Sequence, residues 1–241
     1  MRYPKINSLY KREGYDFKET GKKPNGKKLI EGDYACPEFE AIDRWTITEK
    51  VDGTNCRVIY KKENFNICQG SVGVSGEDPC CTVEFQGRND YSEIPMPLYK
   101  RLEDLFPLSK MKRTFPKAHS VILFGEGFGG KIQDGSYYSE YEDFYLFDAV
   151  IDGFWLSRKS IYDIAKELFD PGVNIRMGDK VNTVNKQQIV EFVKEKSLSF
   201  IAANLTGSKH VMEGIVARSE PLMYFRDGTP IMFKLKCSDF Y

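Results

Sequence analysis

The chain has no run approaching ~18 consecutive apolar residues, so no membrane-spanning helix is expected. Its amino-terminal MRYPKINSLYKREGYDF has no apolar core, so no secretory signal is read there. It has no net charge: 35 Lys and Arg balance 35 Asp and Glu. No global field therefore draws in nucleic acid, and any such binding needs a local basic face. There is no CxxC pair and no Cys/His cluster of zinc type among Cys36, Cys56, Cys68, Cys80, Cys81 and Cys237. Reduced, ordinary thiols in a cytoplasmic protein are expected.

What is present is a soluble globular texture, 41% hydrophobic and 29% charged, in 241 residues. Residues 1–44 are polar, basic and glycine-rich and read as an irregular arm. From Trp45 onward, WTIT, CRVIY, NFNIC and TVEFQ are short β-rich runs between turn residues. MPLYKRLEDLF reads as a helix opened by Pro95 and Pro97, followed by a basic KMKR stretch that is a candidate for substrate binding. VILFGEGFGG is a buried strand running into glycines. FYLFDAVIDGFWL reads as two strands around Asp152-Gly153. Ser157 is expected to cap a helix through RKSIYDIAKELF, stopped by Asp170-Pro171-Gly172. Thr183 is expected to cap a second helix through QQIVEFVKE, continued by SLSFIAANL to Gly207. VMEGIVAR and PIMFKLK follow as strands. Strands outnumber helices and few helices separate successive strands, so the fold class expected is α+β with antiparallel sheets.

Two phosphate-loop patterns fail on context. GEGFGG at 125–130 matches GxGxxG, but KIQDGSYYSEYEDF behind it has no helical period, so no dinucleotide turn is expected. GKKPNGKK at 21–28 has P-loop spacing but no Ser/Thr for magnesium and no apolar strand before it.

Charged residues inside apolar strand runs are more telling, because charges are rarely buried unless paired or functional. Glu126 follows VILFG, Asp148 follows FYLF and Glu213 precedes GIVA. Lys234 and Lys236 share one face of their strand by alternation. Lys50 stands just before Asp52-Gly53, which taken alone is a hairpin signal. In order, Lys50-Val51-Asp52-Gly53-Thr54-Asn55, Gly87-Arg88, Phe124-Gly125-Glu126-Gly127, Phe147-Asp148, Glu213-Gly214-Ile215-Val216 and Lys234-Leu235-Lys236 resemble the motifs of the covalent nucleotidyltransferase superfamily of polynucleotide ligases and capping enzymes. Glu49-Lys50, Asn55 and the closing KLKCSDF resemble the RNA ligase 2-like branch. Asp52 departs from that branch, which often has His there.

The resemblance implies an antiparallel-sheet nucleotidyltransferase (ATP-grasp-like) adenylation domain over 1–241, with a nucleotide cleft between sheets. DNA ligases and capping enzymes of the superfamily usually carry an oligonucleotide-binding domain after the last motif; with only Cys237–Tyr241 there, no C-terminal oligonucleotide-binding or helical domain is expected. It implies an ATP-dependent RNA ligase, expected as a monomer, with ATP and Mg2+ (or Mn2+) as cofactors. The partner implied is RNA bearing 5′-phosphate and 3′-hydroxyl ends. Lys50 is implied as the adenylated nucleophile, with Lys234 and Lys236 on phosphate. Glu126 is implied on the ribose, Phe147 stacked on adenine, Asn55 and Arg88 on the sugar-phosphate and Glu49 at the base edge. Glu213 is implied at the metal, and Asp148 as structural support. A DNA ligase core, a GTP-dependent capping guanylyltransferase and a non-catalytic nucleic-acid-binding module are the alternatives.

Overall fold

The computed structural model describes residues 1–13, 28–62, 81–133, 135–169 and 183–240. NFNIC, Asp170-Pro171-Gly172 and nearly all of GKKPNGKK lie outside them. In chain order the elements are β1 Asn7–Ser8, β2 Tyr10–Arg12, β3 Leu29–Tyr34, α1 Pro37–Ala41, β4 Trp45–Lys50, β5 Thr54–Lys62, β6 Cys81–Gly87, α2 Met96–Leu105, α3 Leu108–Thr114, β7 Ser120–Phe128, β8 Asp143–Ile151, β9 Phe154–Trp155, α4 Arg158–Leu168, β10 Thr183–Val184, α5 Lys186–Lys194, α6 Phe200–Thr206, β11 Gly214–Ser219 and β12 Met232–Lys236. The fold is mixed α+β with two five-stranded sheets. The chain divides into two compact units. The first comprises Met1–Tyr3 and Asp52–Asp179; the second comprises Pro4–Val51 and Lys180–Tyr241.

The first unit is built on the sheet β6-β5-β7-β8-β9, antiparallel throughout. One face of this sheet, carrying Cys56, Val58, Leu123, Phe144 and Leu146, packs with Leu98, Leu102, Met111, Ile161 and Leu168 of the helices. Ser157 caps α4 by accepting from the Ser160 amide, and Ile161, Ala165 and Leu168 are buried at helical spacing, as the sequence predicts. The β8–β9 turn is also as predicted: Asp152 and Gly153 have φ of 49° and 88°, the positive pair a tight hairpin needs. KMKR lies in α3, and half of it serves the fold. Met111 is fully buried, and Lys110 Nζ donates to Leu105 O and Leu168 O, both at 3.0 Å, tying the ends of α2 and α4.

The second unit is built on the sheet β1-β12-β11-β4-β10, in which only the β1–β12 pair is parallel among the described residues. Trp45, Ile215, Ala217, Phe233 and Leu235 line its apolar face with Phe39, Ile189 and Val193. The amino-terminal 44 residues hold more regular structure than their polar texture predicts. β1 joins the sheet beside β12, β2 pairs with β3, and Leu9 and Phe39 are fully buried. A few apolar side chains suffice to fix such a segment when a neighbouring sheet edge receives it. Two expectations at the helices are corrected. Thr183 pairs with Thr46 in β10 rather than capping α5. The cap is Asn185, in a reciprocal box with Gln188. α5 does not continue to Gly207. Lys196 takes a left-handed φ of 53°, and Ser199 caps a separate α6 that ends at Gly207 with φ 69°.

Candidate active site

In the second unit the sequence places Lys50 at the last position of β4, and the register does the rest. Gly214 of β11 lies opposite Lys50 on one side and opposite Lys236 on the other. Residues opposite one another project from the same face of a sheet, so Lys50 and Lys236 flank Gly214 on one side of it. One step along, Thr48, Val216 and Lys234 form the parallel row. All three lysines therefore stand on the face turned away from the unit's apolar core. Gly214 permits the close spacing: a Cβ there would meet Leu235 O at 2.1 Å.

Glu213 precedes this row and answers its charge. One carboxylate oxygen pairs with Lys50 Nζ and the other with Lys236 Nζ at 2.5 Å. Burial and the charges of Lys50, Lys236 and Arg12 lower the Lys234 ammonium below its ordinary value. The chain then turns through Cys237–Asp239, where Asp239 accepts from the Lys236 amide at 3.0 Å and pairs with Arg12 at 2.7 Å. Sequence reasoning missed both roles. A buried acid three residues behind the lysine pair was the available signal for Asp239; Arg12 had none.

Glu49 is turned away from this cluster. Alternation sends it to the core face, opposite to Lys50. There its carboxylate accepts from Ser199 Oγ at 2.5 Å and from the Ile201 amide at 3.1 Å, at the start of α6. Burial raises its pKa, against these hydrogen bonds, which pull it down.

In the first unit, Asn55 lies opposite Glu126 and Glu126 opposite Tyr145, so the three share the face away from the helices. The Asn55 Oδ1 is buried and has no hydrogen-bond partner among the described residues. Asp52-Gly53 does not close a hairpin, because β4 and β5 belong to different sheets. Gly53 is needed for a close approach instead: a Cβ would lie 2.2 Å from Gly127 O and 2.9 Å from Glu126 Cγ. The backbone of the motif thus rests against the strand that carries Glu126. Burial, with the Glu126 charge, pushes the neighbouring Cys56 thiol up to about 12, which leaves it protonated and unreactive at neutral pH.

Phe147 owes its position to a β-bulge. Gly125 pairs with Leu146 and Phe124 with Asp148, so Phe147 is the extra residue. Leu146 and Ala149 both point into the helix-covered core, while Phe147 and Asp148 share the other face. The Arg158 guanidinium donates to the Phe147 carbonyl, which the bulge removes from the ladder. Asp148, fully buried, accepts from the Tyr3 hydroxyl at 3.1 Å. Arg88 is not gathered with these residues: it lies exposed just beyond β6. The buried arginine of the region is Arg57, 1% exposed, which donates to Gly87 O and Met1 O and pairs with Asp90.

Among the described residues no group of three metal-binding side chains occurs, and no helix is long and apolar enough to cross a membrane. A comparison with curated protein sequences returns no match. Solved structures of Naegleria gruberi RNA ligase share the fold. The form with PPi is 20% identical with a TM-score of 0.52, covering 80% of this chain and 49% of that one. A mutant with ATP and Mn is 16% identical with a TM-score of 0.57, covering 98% of this chain and 63% of that one. The chain thus spans about half to two thirds of the length of these structures. The family model described as RNA ligase matches residues 43–236, from just ahead of β4 to the last lysine of β12. That span takes in the lysine row, its bridging glutamate and every motif of the first unit's sheet, and the chain belongs to the RNA ligase family.

Proposed function

We propose that the chain is an ATP-dependent RNA ligase that works through a covalent lysyl-AMP at Lys50. The observation that carries this is the row Lys50–Gly214–Lys236 with Lys234 beside it, a nucleophile and two further cations on one sheet face around a single carboxylate. The Lys50 Nζ attacks the α-phosphate of ATP. A P–N bond forms, the bond to the bridging oxygen breaks, and pyrophosphate leaves. AMP then passes to the RNA 5′-phosphate, and the 3′-hydroxyl of the other end displaces it.

A lysine ordinarily holds its proton to a pKa near 10.4 and is then no nucleophile. The Lys50 Nζ is paired to the Glu213 carboxylate, and that pair must part for Nζ to reach the α-phosphate. Lys234 and Lys236 meet the charge that develops on the phosphate oxygens. A single carboxylate with substrate phosphates is a donor set that suits Mg2+ or Mn2+, hard cations that take oxygen ligands. When bound, that ion neutralises phosphate charge.

In the first unit Glu126 is assigned to the ribose hydroxyls and Phe147 to stacking on the base. The buried, unpartnered Asn55 Oδ1 supports a role as acceptor for a sugar hydroxyl. Arg88, exposed on its loop, is assigned to phosphate or RNA. Glu49 is assigned to holding α6 against β4, since Ser199 and Ile201 take up its carboxylate.

The test is labelling. The protein is incubated with α-labelled ATP or GTP and magnesium, and the denatured chain is assayed for label. ATP label that disappears in Lys50→Ala, and on chelation of the metal, is expected. Label that persists in Lys50→Ala would sink the assignment, and a preference for GTP would move the chain to the capping class. Joining of nicked RNA, single-stranded RNA and DNA by the labelled enzyme then identifies the substrate.

A further inference from the structure

We propose that Tyr3 is a positioning residue for the nucleotide base: it fixes the Phe147 ring in the orientation that receives adenine. This rests on the reading of Phe147 as the stacking residue.

Met1–Tyr3 belongs to the first unit although Pro4–Val51 belongs to the second. Three separate interactions hold this short segment to the sheet. Arg57, itself buried, donates to Met1 O at 2.8 Å. Arg2 pairs with Asp90 at 3.1 Å, and Asp90 is also held by Arg57 at 2.9 Å. Tyr3 donates its hydroxyl to the buried Asp148.

The ring of Tyr3 then fills a place among aromatics. Its centroid lies 4.9 Å from Phe147 at 68°, 5.0 Å from Phe124 at 55° and 5.8 Å from Trp155 at 72°. Behind it, Phe124 and Trp155 stack at 18°. These are favourable tilted and edge-on contacts. Phe147 is the bulge residue, so no ladder pairing fixes its backbone on both sides. Two contacts do so instead: Arg158 on its carbonyl and Tyr3 on its ring. Asp148 orients Tyr3, and Phe147 and Asp148 are consecutive. One tyrosine thus reads both members of the Phe-Asp pair. Phe147 itself is only half-buried.

The experiment is a double-mutant cycle on ATP-dependent self-labelling. Tyr3→Ala is expected to raise the ATP KM about three- to tenfold, the weight of one aromatic edge contact, with kcat little changed. Tyr3→Phe keeps the ring and loses the Asp148 hydrogen bond, and is expected to give a smaller rise. In a Phe147→Ala background the Tyr3 effect is expected to vanish. Should Tyr3→Ala fail to fold, Tyr3→Leu carries the same cycle with the bulk retained. An unchanged KM, or effects of Tyr3 and Phe147 that multiply independently, would overturn the proposal while leaving the ligase reading intact. Absence of any label on the wild-type chain would overturn the ligase reading itself, and the role of Tyr3 with it.

Discussion

Lys50 and Lys236 stand across Gly214 from each other, and the two oxygens of Glu213 are shared between them. Three ammonium groups on one face repel; this carboxylate offsets part of that repulsion. Glu213→Ala removes the offset. We expect a loss of stability on the order of 1 kcal/mol, since the pairs are only partly buried, and at least about a tenfold fall in labelling rate. Thermal melting and single-turnover labelling measure the two separately. An unaltered labelling rate would exclude Glu213 from the chemistry.

Gly214→Ala tests the row itself. The added Cβ would press on Leu235 O at 2.1 Å, and backbone cannot swing aside as a side chain can. A destabilisation of about 1–3 kcal/mol is expected, with labelling reduced even at temperatures where the variant is folded. A urea titration gives the first quantity.

Lys234 is held at a cost. Burial, then the charges of Lys50, Lys236 and Arg12, lower its pKa below 10.5. In the window just below 10.5 the unfolded chain binds more protons than the folded one, so this group makes stability rise with pH there. Below the folded value the destabilisation is present in full. Lys234→Met is therefore expected to raise the melting temperature at pH 7 by about 2–4 °C while lowering labelling. The gain should shrink as pH approaches 10.5. A melting temperature that falls at pH 7 would contradict this account.

Ser199→Ala removes one hydroxyl with two duties: it caps α6 at the Ala202 amide and donates to Glu49. A cost of about 1–2 kcal/mol is expected. Hydrogen exchange should quicken in α6. If α6 keeps its protection, the cap is not what holds it.

The lysine pair of β12 was legible from alternation alone, and Glu213 from its place at the start of an apolar run. The caps at Ser157 and Gly207 were legible because they depend on residues within a few positions. What the sequence concealed depends on distant partners. Asp52-Gly53 has the composition of a hairpin turn, yet its strands enter different sheets, and only the approach of Gly127 explains the glycine. Glu49 sits next to Lys50 in the chain and on the opposite face in the fold. Arg12 and Tyr3 act across separations that no local pattern encodes. Thr183 looked like a cap because Asn185 and β10 could not be distinguished without the sheet.

The bulge at Phe147 also sets what kinds of change β8 tolerates. On either side of it the strand counts odd and even differently. Positions up to Leu146 and positions from Asp148 onward are out of phase by one. Substituting Phe147 changes one ring and leaves that phase alone. Deleting it would restore a single phase with no exchange of faces: Leu146 would still point inward, Asp148 outward and Ala149 inward. Deleting an ordinary strand residue such as Val150 would instead swap the inward and outward residues beyond it. At the bulge, residue type is therefore under stronger constraint than residue number: losing Phe147 costs the ring and not the pattern of faces.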